Sequence, residues 1–198
     1  MSPSKVHRID LATFNTLGNL PSGRGDRRAE FNFMREFEKS YFKRQSSAGL
    51  TAEEFSLSGF GVADMVWIGW QPDGQSDDFS AVAIQQQLAR RLLYAFEGKL
   101  KDWQRALQQA FRYRYFADKA IVIMPLENAG QALANLETFR NSGVGLWTLE
   151  AATGSIKEHF TPTRIRAFNP KARAKAIALL ASKFDFGHFR KESKSALQ

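Results

Sequence analysis

Apolar residues in the first half of the chain recur first with helical and then with strand-like spacing. Between residues 27 and 44 they fall at steps of three and four, which predicts a helix with one buried stripe. The stripe consists of Phe31, Met34, Phe37 and Tyr41. The segment 55–70, FSLSGFGVADMVWIGW, is rich in β-branched and aromatic residues with glycine punctuation, and it predicts one or two strands. Residues 79–91 are dominated by Ala, Gln and Leu, which favours a helix.

Short apolar runs and helical patterns alternate in the second half. The run LLYAFEGKL at residues 92–100 is almost continuously apolar until it ends in charge, as is typical of a central strand buried on both faces. A helix with one apolar face is predicted from 102 to about 117. Further strands are predicted at 120–125, 143–150 and 156–162, and further helices at 129–141 and 169–184. Asn169 and Pro170 give the last helix a capping residue followed by proline at its first position.

These elements predict an α/β fold with a mixed central sheet and helices on both faces. A chain of 198 residues suits one domain, and it can bury enough surface to fold without a metal or a disulfide. We expect an irregular lead-in at residues 1–25, a single domain at 26–185 and a basic tail at 186–198. No apolar run reaches the length of a membrane span, and the N-terminus lacks a signal-like stretch, so we expect a soluble cytoplasmic protein.

The composition limits the chemistry that the chain can carry out. Because there is no cysteine, a disulfide framework, a zinc ribbon, an iron–sulfur cluster and a thiol nucleophile are all excluded. The three histidines are far apart in sequence, so we expect any metal to be held by oxygen ligands. Neither G-x-S-x-G nor G-x-x-x-x-G-K-[ST] occurs, which argues against a serine hydrolase and against a P-loop enzyme.

Charge is distributed unevenly along the chain. The total of 28 Lys+Arg against 20 Asp+Glu gives a net charge of +8, which favours an anionic partner. Residues 51–98 run against this trend, with 2 basic and 7 acidic side chains, a net of 2 − 7 = −5. That stretch could build a cation site within an anion-attracting surface. For three of its carboxylates an ordinary polar loop is the favoured interpretation, because they lie in the turn-rich segment QPDGQSDD. They are Asp73, Asp77 and Asp78.

The strongest candidate chemistry lies in Asp64 and in Glu97-Gly98-Lys99. Strand alternation directs Glu97 and Lys99 to the same side, roughly 7 Å apart. If Asp64 lies on a neighbouring strand, it can share a divalent cation with Glu97, and such oxygen ligands suit Mg²⁺ or Mn²⁺. Lys99 would then orient or help to deprotonate an attacking water and stabilise developing charge. Glu-X-Lys alone is common on solvated strand edges. The catalytic interpretation therefore depends on the apolar strand before the motif and the helix after it.

The run from residue 92 to 125, LLYAFEGKLKDWQRALQQAFRYRYFADKAIVIMP, together with Asp64 in GVADMVWIGW, resembles the PD-(D/E)xK nuclease superfamily. The pattern of that family is an Asp at a strand start, Glu or Asp one residue before Lys on the next strand, and then a helix and a buried strand. Asp64, Glu97 and Lys99 match its catalytic positions. The resemblance implies the restriction-endonuclease-like fold and Mg²⁺-dependent hydrolysis of phosphodiester bonds. Ala63 stands where the pattern has proline, and a turn and a helix are inserted before Glu97.

Two further elements extend the resemblance. Gln109 and Tyr113 look like the Gln-x-x-x-Tyr motif of the RecB-type branch, and one helical turn separates them, so both can lean toward the active-site strand. The first helix of the family often supplies another acidic residue near the metal. Glu30 is our choice for this ligand because it borders the apolar stripe, with Glu36 and Glu38 as competitors.

Basic and aromatic side chains near the motif allow two interpretations. The basic side chains that follow the motif strand either bind phosphates beside the scissile bond or form an ordinary charged helix face. They are Lys101, Arg105 and Arg112. A solvated face is favoured for the basic residues of the last helix: Lys171, Arg173 and Lys175. Three aromatic residues could stack on unpaired bases, but a core role is favoured for them: Phe111, Tyr115 and Phe116.

The sequence therefore supports two hypotheses. The first is a metal-dependent nuclease that acts on nucleic acid, with DNA expected as the substrate and no membrane partner. The second is a catalytically inactive module on the same fold that binds nucleic acid or protein, because a fold does not fix a function. The resemblance leaves a homodimer open, since dimers are common in the superfamily. The nuclease hypothesis requires Asp64, Glu97 and Lys99 to meet at one place.

Overall fold

Within the residues that the structure describes, seven strands form one sheet whose order in space follows the order along the chain. The structure is a computed structural model that describes residues 6–8, 25–70, 81–163 and 166–183. The strands are β1 (Val6–Arg8), β2 (Gly49–Leu57), β3 (Gly61–Gly69), β4 (Leu93–Gly98), β5 (Lys119–Pro125), β6 (Gly145–Glu150) and β7 (Ser155–Phe160). β1 is parallel to β2, and β4, β5 and β6 are parallel to one another, whereas the other neighbouring pairs are antiparallel. The predicted mixed sheet is confirmed.

Helices cover both faces of this sheet. They are α1 (Gly25–Arg44), α2 (Ala81–Ala89), α3 (Trp103–Tyr113), α4 (Gly130–Ala134), α5 (Leu136–Ser142) and α6 (Pro170–Ser182), with a 3₁₀ turn at Leu126–Asn128. α1 packs on one face through Met34, Phe37 and Tyr41, whereas the buried residues of α2, α3 and α6 pack on the other. The predicted α/β class is thus confirmed. No helix in the described part of the chain is long and apolar enough to span a membrane.

The segment predicted to be an irregular lead-in contains the short strand β1. Val6–Arg8 pairs in parallel with Gly49–Thr51 at one edge of the sheet. A strand of three residues is too short to show a period of two, so its sequence does not distinguish it from a loop. The acidic turn at 71–80, the predicted tail at 186–198 and the lead-in at 9–24 lie outside the described residues.

Two element boundaries also differ from the prediction. β2 begins at Gly49, well before the predicted start at Phe55. The prediction missed the first half of the strand because polar residues in its middle interrupt the apolar pattern. The helix predicted over 129–141 is divided at Asn135, whose φ of −109° and ψ of 28° are not helical. Asparagine has a low helix propensity, which favours a break at this position.

β2 and β3 share a kink that determines where Asp64 points. In β3, Met65 and Trp67 pack against α1, so strict alternation would direct Ala63 to the same face. Ala63 instead packs on the opposite face, which means that the strand changes face at Asp64. The register position opposite Asp64 in β2 belongs to Glu54, whose φ of 46° lies in the left-handed region. A paired kink of this kind redirects a side chain, as β-bulges do.

An ion pair joins α6 to the starts of β4 and β5. The guanidinium of Arg173 donates three hydrogen bonds of 2.8–3.0 Å to the carboxylate of Asp118, and it also donates to the carbonyls of Ala89 and Arg91. Asp118 accepts a further bond of 2.9 Å from the N–H of Leu93. The prediction that Arg173 belongs to a solvated face is therefore wrong. Its partners are distant in sequence, so the local pattern does not reveal them. The other two basic residues of this set are exposed as predicted: Lys171 and Lys175.

Candidate active site

Asp64 and the Glu97-Gly98-Lys99 motif meet at the carboxyl end of β4, the central strand. The ladder between β3 and β4 runs only as far as Met65 opposite Phe96. Beyond it, the Oδ2 atom of Asp64 accepts a hydrogen bond of 2.8 Å from the N–H of Gly98. The carboxylate therefore replaces the next backbone contact between the strands and is held beside the middle residue of the motif.

Glu97 is a buried carboxyl group, with a relative exposure of 1%. The hydroxyl of Tyr113 lies 2.5 Å from Oε2 of Glu97, and the carbonyl of Val62 also lies within hydrogen-bonding range of that hydroxyl. A phenol has one hydrogen and a carbonyl can only accept, so all three groups are satisfied together when Glu97 carries a proton and donates it to the phenol oxygen. Tyr113 thus fixes the orientation of Glu97 in either protonation state.

Lys99 links the motif strand to the first helix. Its ammonium lies 3.0 Å from Oε2 of Glu30 and 3.6 Å from Oε1 of Glu97. The side chain is only 14% exposed, so these charges interact with little solvent between them. Glu30, selected from the sequence as the acidic residue of the first helix, is therefore part of the same cluster.

Gly98 allows α1 to approach the motif. A Cβ atom at this position would lie 2.2 Å from Sδ and 2.7 Å from Cγ of Met34, and 3.6 Å from Oδ2 of Asp64. The middle residue of the motif therefore has to be small for Met34 to pack where it does. That contact brings the helix carrying Glu30 close to the end of β4.

Burial and mutual proximity change the protonation of these groups. Burial raises the pKa of Asp64, although the N–H of Gly98 and the ammonium of Lys99 oppose the change. Burial and the charge of Asp64 raise the pKa of Glu97 to about 8, against the opposing effects of Tyr113 and Lys99. For Lys99, burial lowers the pKa, but the hydrogen bond to Glu30 and the nearby carboxylates outweigh it and the pKa is raised. Lys99 is therefore charged at neutral pH, whereas Glu97 is mostly protonated.

A cavity of about 250 Å³ opens between α1 and the kinked part of β2 and β3. Five carboxylates line it: Glu30, Glu38, Glu53, Glu54 and Asp64. Phe31 also lines it and is 47% exposed, so its prediction as part of the buried stripe is wrong. Sequence reasoning missed Glu53 and Glu54, because it started the strand after them. Two adjacent carboxylates between apolar runs were the available signal.

The other sequence-predicted residues differ in their surroundings. Oε1 of Gln109 is buried and has no hydrogen-bond partner among the described residues. Glu36 is exposed and pairs with Lys39 at 2.7 Å, whereas Glu38 is buried at the cavity. The three basic residues that follow the motif strand are all exposed: Lys101, Arg105 and Arg112. Of the three aromatic residues weighed as base-stacking candidates, Phe116 is buried as predicted, whereas the prediction of a core role is wrong for Phe111 and Tyr115, which are exposed.

The donor set fits a hard divalent cation in its chemistry. Asp64, Glu97 and Glu30 offer carboxylate oxygens. Burial and the charge of Asp64 raise the pKa of Glu97, and a cation between the two carboxylates would oppose both effects. Among the described residues, no group of three or more carboxylate or histidine side chains is arranged around one point to hold a metal ion. In this arrangement the ammonium of Lys99 lies within ion-pair distance of Glu30 and Glu97.

Comparison of the chain with protein-family models, with curated proteins and with solved structures gave no match.

The raised pKa of Glu97 predicts how stability depends on pH. In the folded protein this group keeps a proton between its ordinary pKa of 4.5 and about 8, whereas in the unfolded chain it has lost it. The free energy of unfolding should therefore fall as pH rises through this range. Urea unfolding in EDTA at pH 5 and pH 8 checks this, with Glu97→Gln as the matched variant that cannot ionise. We expect the stability of the variant relative to the parent to increase with pH, and a pH-independent difference would contradict the assignment.

Proposed function

We propose that this protein is a metal-dependent nuclease of the PD-(D/E)xK superfamily, with the restriction-endonuclease-like fold, and that it hydrolyses phosphodiester bonds of DNA. The observation that carries the proposal is the hydrogen bond from Gly98 to Asp64. It joins the family's two separated motif positions, because Gly98 lies between Glu97 and Lys99. The order β3, β4, α3, β5 also agrees with the strand, strand, helix and strand of the family pattern.

In this proposal Asp64, Glu97 and Glu30 would hold the Mg²⁺ or Mn²⁺ ion. The bound metal would polarise the scissile phosphate and lower the pKa of a coordinated water. The chain itself orients the carboxylates: the N–H of Gly98 fixes Asp64, and the hydroxyl of Tyr113 fixes Glu97. Such supporting hydrogen bonds typically affect metal affinity or activity 10- to 100-fold, roughly.

Lys99 acts through its positive charge. Its raised pKa keeps it protonated, which favours binding of a phosphate oxygen and orientation of the attacking water over removal of a proton from that water. The exposed cations on and before α3 then bind phosphates on either side of the scissile bond without reading the sequence. They are Lys101, Arg105 and Arg112.

Cleavage of defined DNA tests this proposal. Single-stranded and double-stranded linear DNA and a closed circle are incubated with the full chain and Mg²⁺ or Mn²⁺, with EDTA as the control. We expect cleavage that requires the metal, and the circle separates cutting within a strand from cutting at ends. If no DNA is cut with either metal while the protein is folded, the nuclease proposal fails.

One observation favours a second candidate, a catalytically inactive binding module. Lys99 already pairs with Glu30 and Glu97, and such a cluster could serve only to tie α1 to β4. In that case the protein would bind DNA through its exposed basic residues, and neither metal would alter the binding. Metal-independent DNA binding without cleavage is the result that distinguishes this candidate.

A further inference from the structure

Four aromatic rings form a continuous patch beyond the end of α3. We call this group, which consists of Phe60, Phe111, Tyr115 and Phe168, the aromatic patch. The ring centres of Phe111 and Phe168 are 6.1 Å apart, those of Phe168 and Tyr115 5.7 Å, and those of Tyr115 and Phe60 5.5 Å. Phe111, Tyr115 and Phe168 are 39%, 40% and 49% exposed. Large apolar side chains grouped at a surface mark an interaction site more often than scattered ones do.

The backbone and one cation hold these rings in place. The N–H of Phe168 donates a hydrogen bond of 2.8 Å to the carbonyl of Arg114, and the N–H of Asn169 donates one of 3.0 Å to that of Tyr115. The guanidinium of Arg114 lies 3.9 Å from the ring centre of Phe168 and also donates to the carbonyl of Ser142. A partner that binds the rings therefore does not have to order them first, which favours affinity.

The charge around the aromatic patch suits an anionic partner. The segments 103–117 and 159–183, which supply three of the four rings, contain no Asp or Glu. They contain three and six Lys or Arg residues, respectively. Of these, Arg112 is exposed beside Phe111, and Arg166 is exposed two residues before Phe168. Aromatic rings that accept bases and cations that accept phosphates are the two components of surfaces that bind single strands.

The aromatic patch is connected to the candidate active site through Tyr113. Phe111 lies two residues before Tyr113 on α3, so the two side chains point to opposite sides of the helix. Tyr115 lies in the turn that follows α3. Phe60 lies in the turn just before Val62, whose carbonyl is in hydrogen-bonding range of the Tyr113 hydroxyl. Phe111 and the side chain of Tyr113, whose hydroxyl contacts Glu97, therefore lie on opposite sides of α3.

We propose that the aromatic patch stacks on unpaired bases of single-stranded DNA. This inference rests on the proposed nuclease function and assigns its substrate class. A duplex keeps its bases stacked on one another, so only its ends or its phosphates can contact the rings. The protein should therefore bind a single strand more tightly than a blunt duplex of the same length.

Binding of labelled oligonucleotides in EDTA tests the inference without any cleavage. The probes are a 20-nucleotide single strand, its blunt duplex and the single-stranded RNA of the same sequence, measured by fluorescence anisotropy with the full chain. Phe111→Ala and Tyr115→Ala are each expected to weaken binding of the DNA single strand about tenfold, as for loss of one stacked base. Binding of the duplex should change less than twofold. Leu126→Ala, at another exposed apolar residue, is the matched control and should change neither.

Two variants separate base stacking from the other roles of the aromatic patch. Phe111→Leu keeps the apolar surface and loses the ring, so tenfold weaker binding supports stacking, whereas parental binding overturns it and favours a protein contact. Tyr115→Phe keeps the ring and should bind as the parent does. Equal affinity for the single strand and the duplex, or tighter binding of RNA than of DNA, would also overturn the inference.

The test also separates failure of this inference from failure of the nuclease proposal. Ring-dependent binding of single-stranded DNA without cleavage under any metal supports the aromatic patch and rejects the nuclease. Metal-dependent cleavage that is unchanged in Phe111→Leu, with unchanged binding, rejects the stacking role and leaves the nuclease standing.

Discussion

Glu97→Gln is expected to lower Mg²⁺-dependent DNA cleavage roughly 10³-fold, a loss of about 4 kcal/mol of transition-state stabilisation. The amide keeps the volume of the side chain and its contact with Tyr113, but it is a poor ligand for a hard cation. Initial rates on a labelled DNA substrate measure the effect. Glu127→Gln, at an exposed position in the 3₁₀ turn, is the matched control and should cleave at the parental rate.

Lys99→Ala removes the ammonium group from the same site, and we expect it to lower Mg²⁺-dependent DNA cleavage by a similar factor. Lys157→Ala, at an exposed position in β7, is its control. Thermal unfolding shows whether each variant is folded, so that a loss of cleavage can be assigned to the missing side chain. Parental cleavage by folded Glu97→Gln or Lys99→Ala would show that the carboxylate cluster is the wrong site.

Arg173→Ala is expected to lower the free energy of unfolding by about 3 kcal/mol, or roughly 10 °C in Tm. The substitution leaves the Asp118 carboxylate, whose side chain is only 4% exposed, without its cation. It also removes the hydrogen bonds to two backbone carbonyls, those of Ala89 and Arg91. Guanidinium unfolding followed by circular dichroism measures the change.

Lys39→Ala provides the comparison, because Lys39 pairs with Glu36 in an exposed ion pair. Such pairs contribute little to stability, typically below about 1 kcal/mol. If Arg173→Ala changed the stability no more than Lys39→Ala does, Arg173 would be a surface residue after all, as its sequence pattern suggests.

The sequence predicted the centre of the fold better than its edges. β4 and β5 were found because strands buried on both faces are continuously apolar, and this pattern is visible without knowledge of their neighbours. β1 and the first half of β2 were missed, because β1 is very short and the middle of β2 carries Glu53 and Glu54. Those two carboxylates face a cavity that exists only once α1 packs across the sheet.

Residues whose environment depends on distant parts of the chain were the hardest to predict. Arg173 looked like a solvated residue because its partner, Asp118, is 55 residues away. Phe111 and Tyr115 looked like core residues because they are aromatic and lie on or next to a helix that packs against the sheet. Phe111, however, is on the side of α3 opposite the buried Tyr113, and Tyr115 is exposed in the turn after the helix. By contrast, the contact between Asp64 and the motif was expected from the sequence, on the condition that Asp64 lies on a strand next to the motif strand. The two strands are neighbours, and Asp64 accepts a hydrogen bond from Gly98.

The two ends of β4 make opposite contributions to the stability of the protein. At its start, Asp118 and Arg173 bind the backbone and fix the strand. At its end, a buried carboxyl group resists ionisation, so the ionised form that a metal requires costs free energy. Selection for stability alone would disfavour Glu97, whereas the proposed metal binding would favour its retention. A variant library screened for thermal resistance should therefore accumulate substitutions at Glu97 and almost none at Arg173.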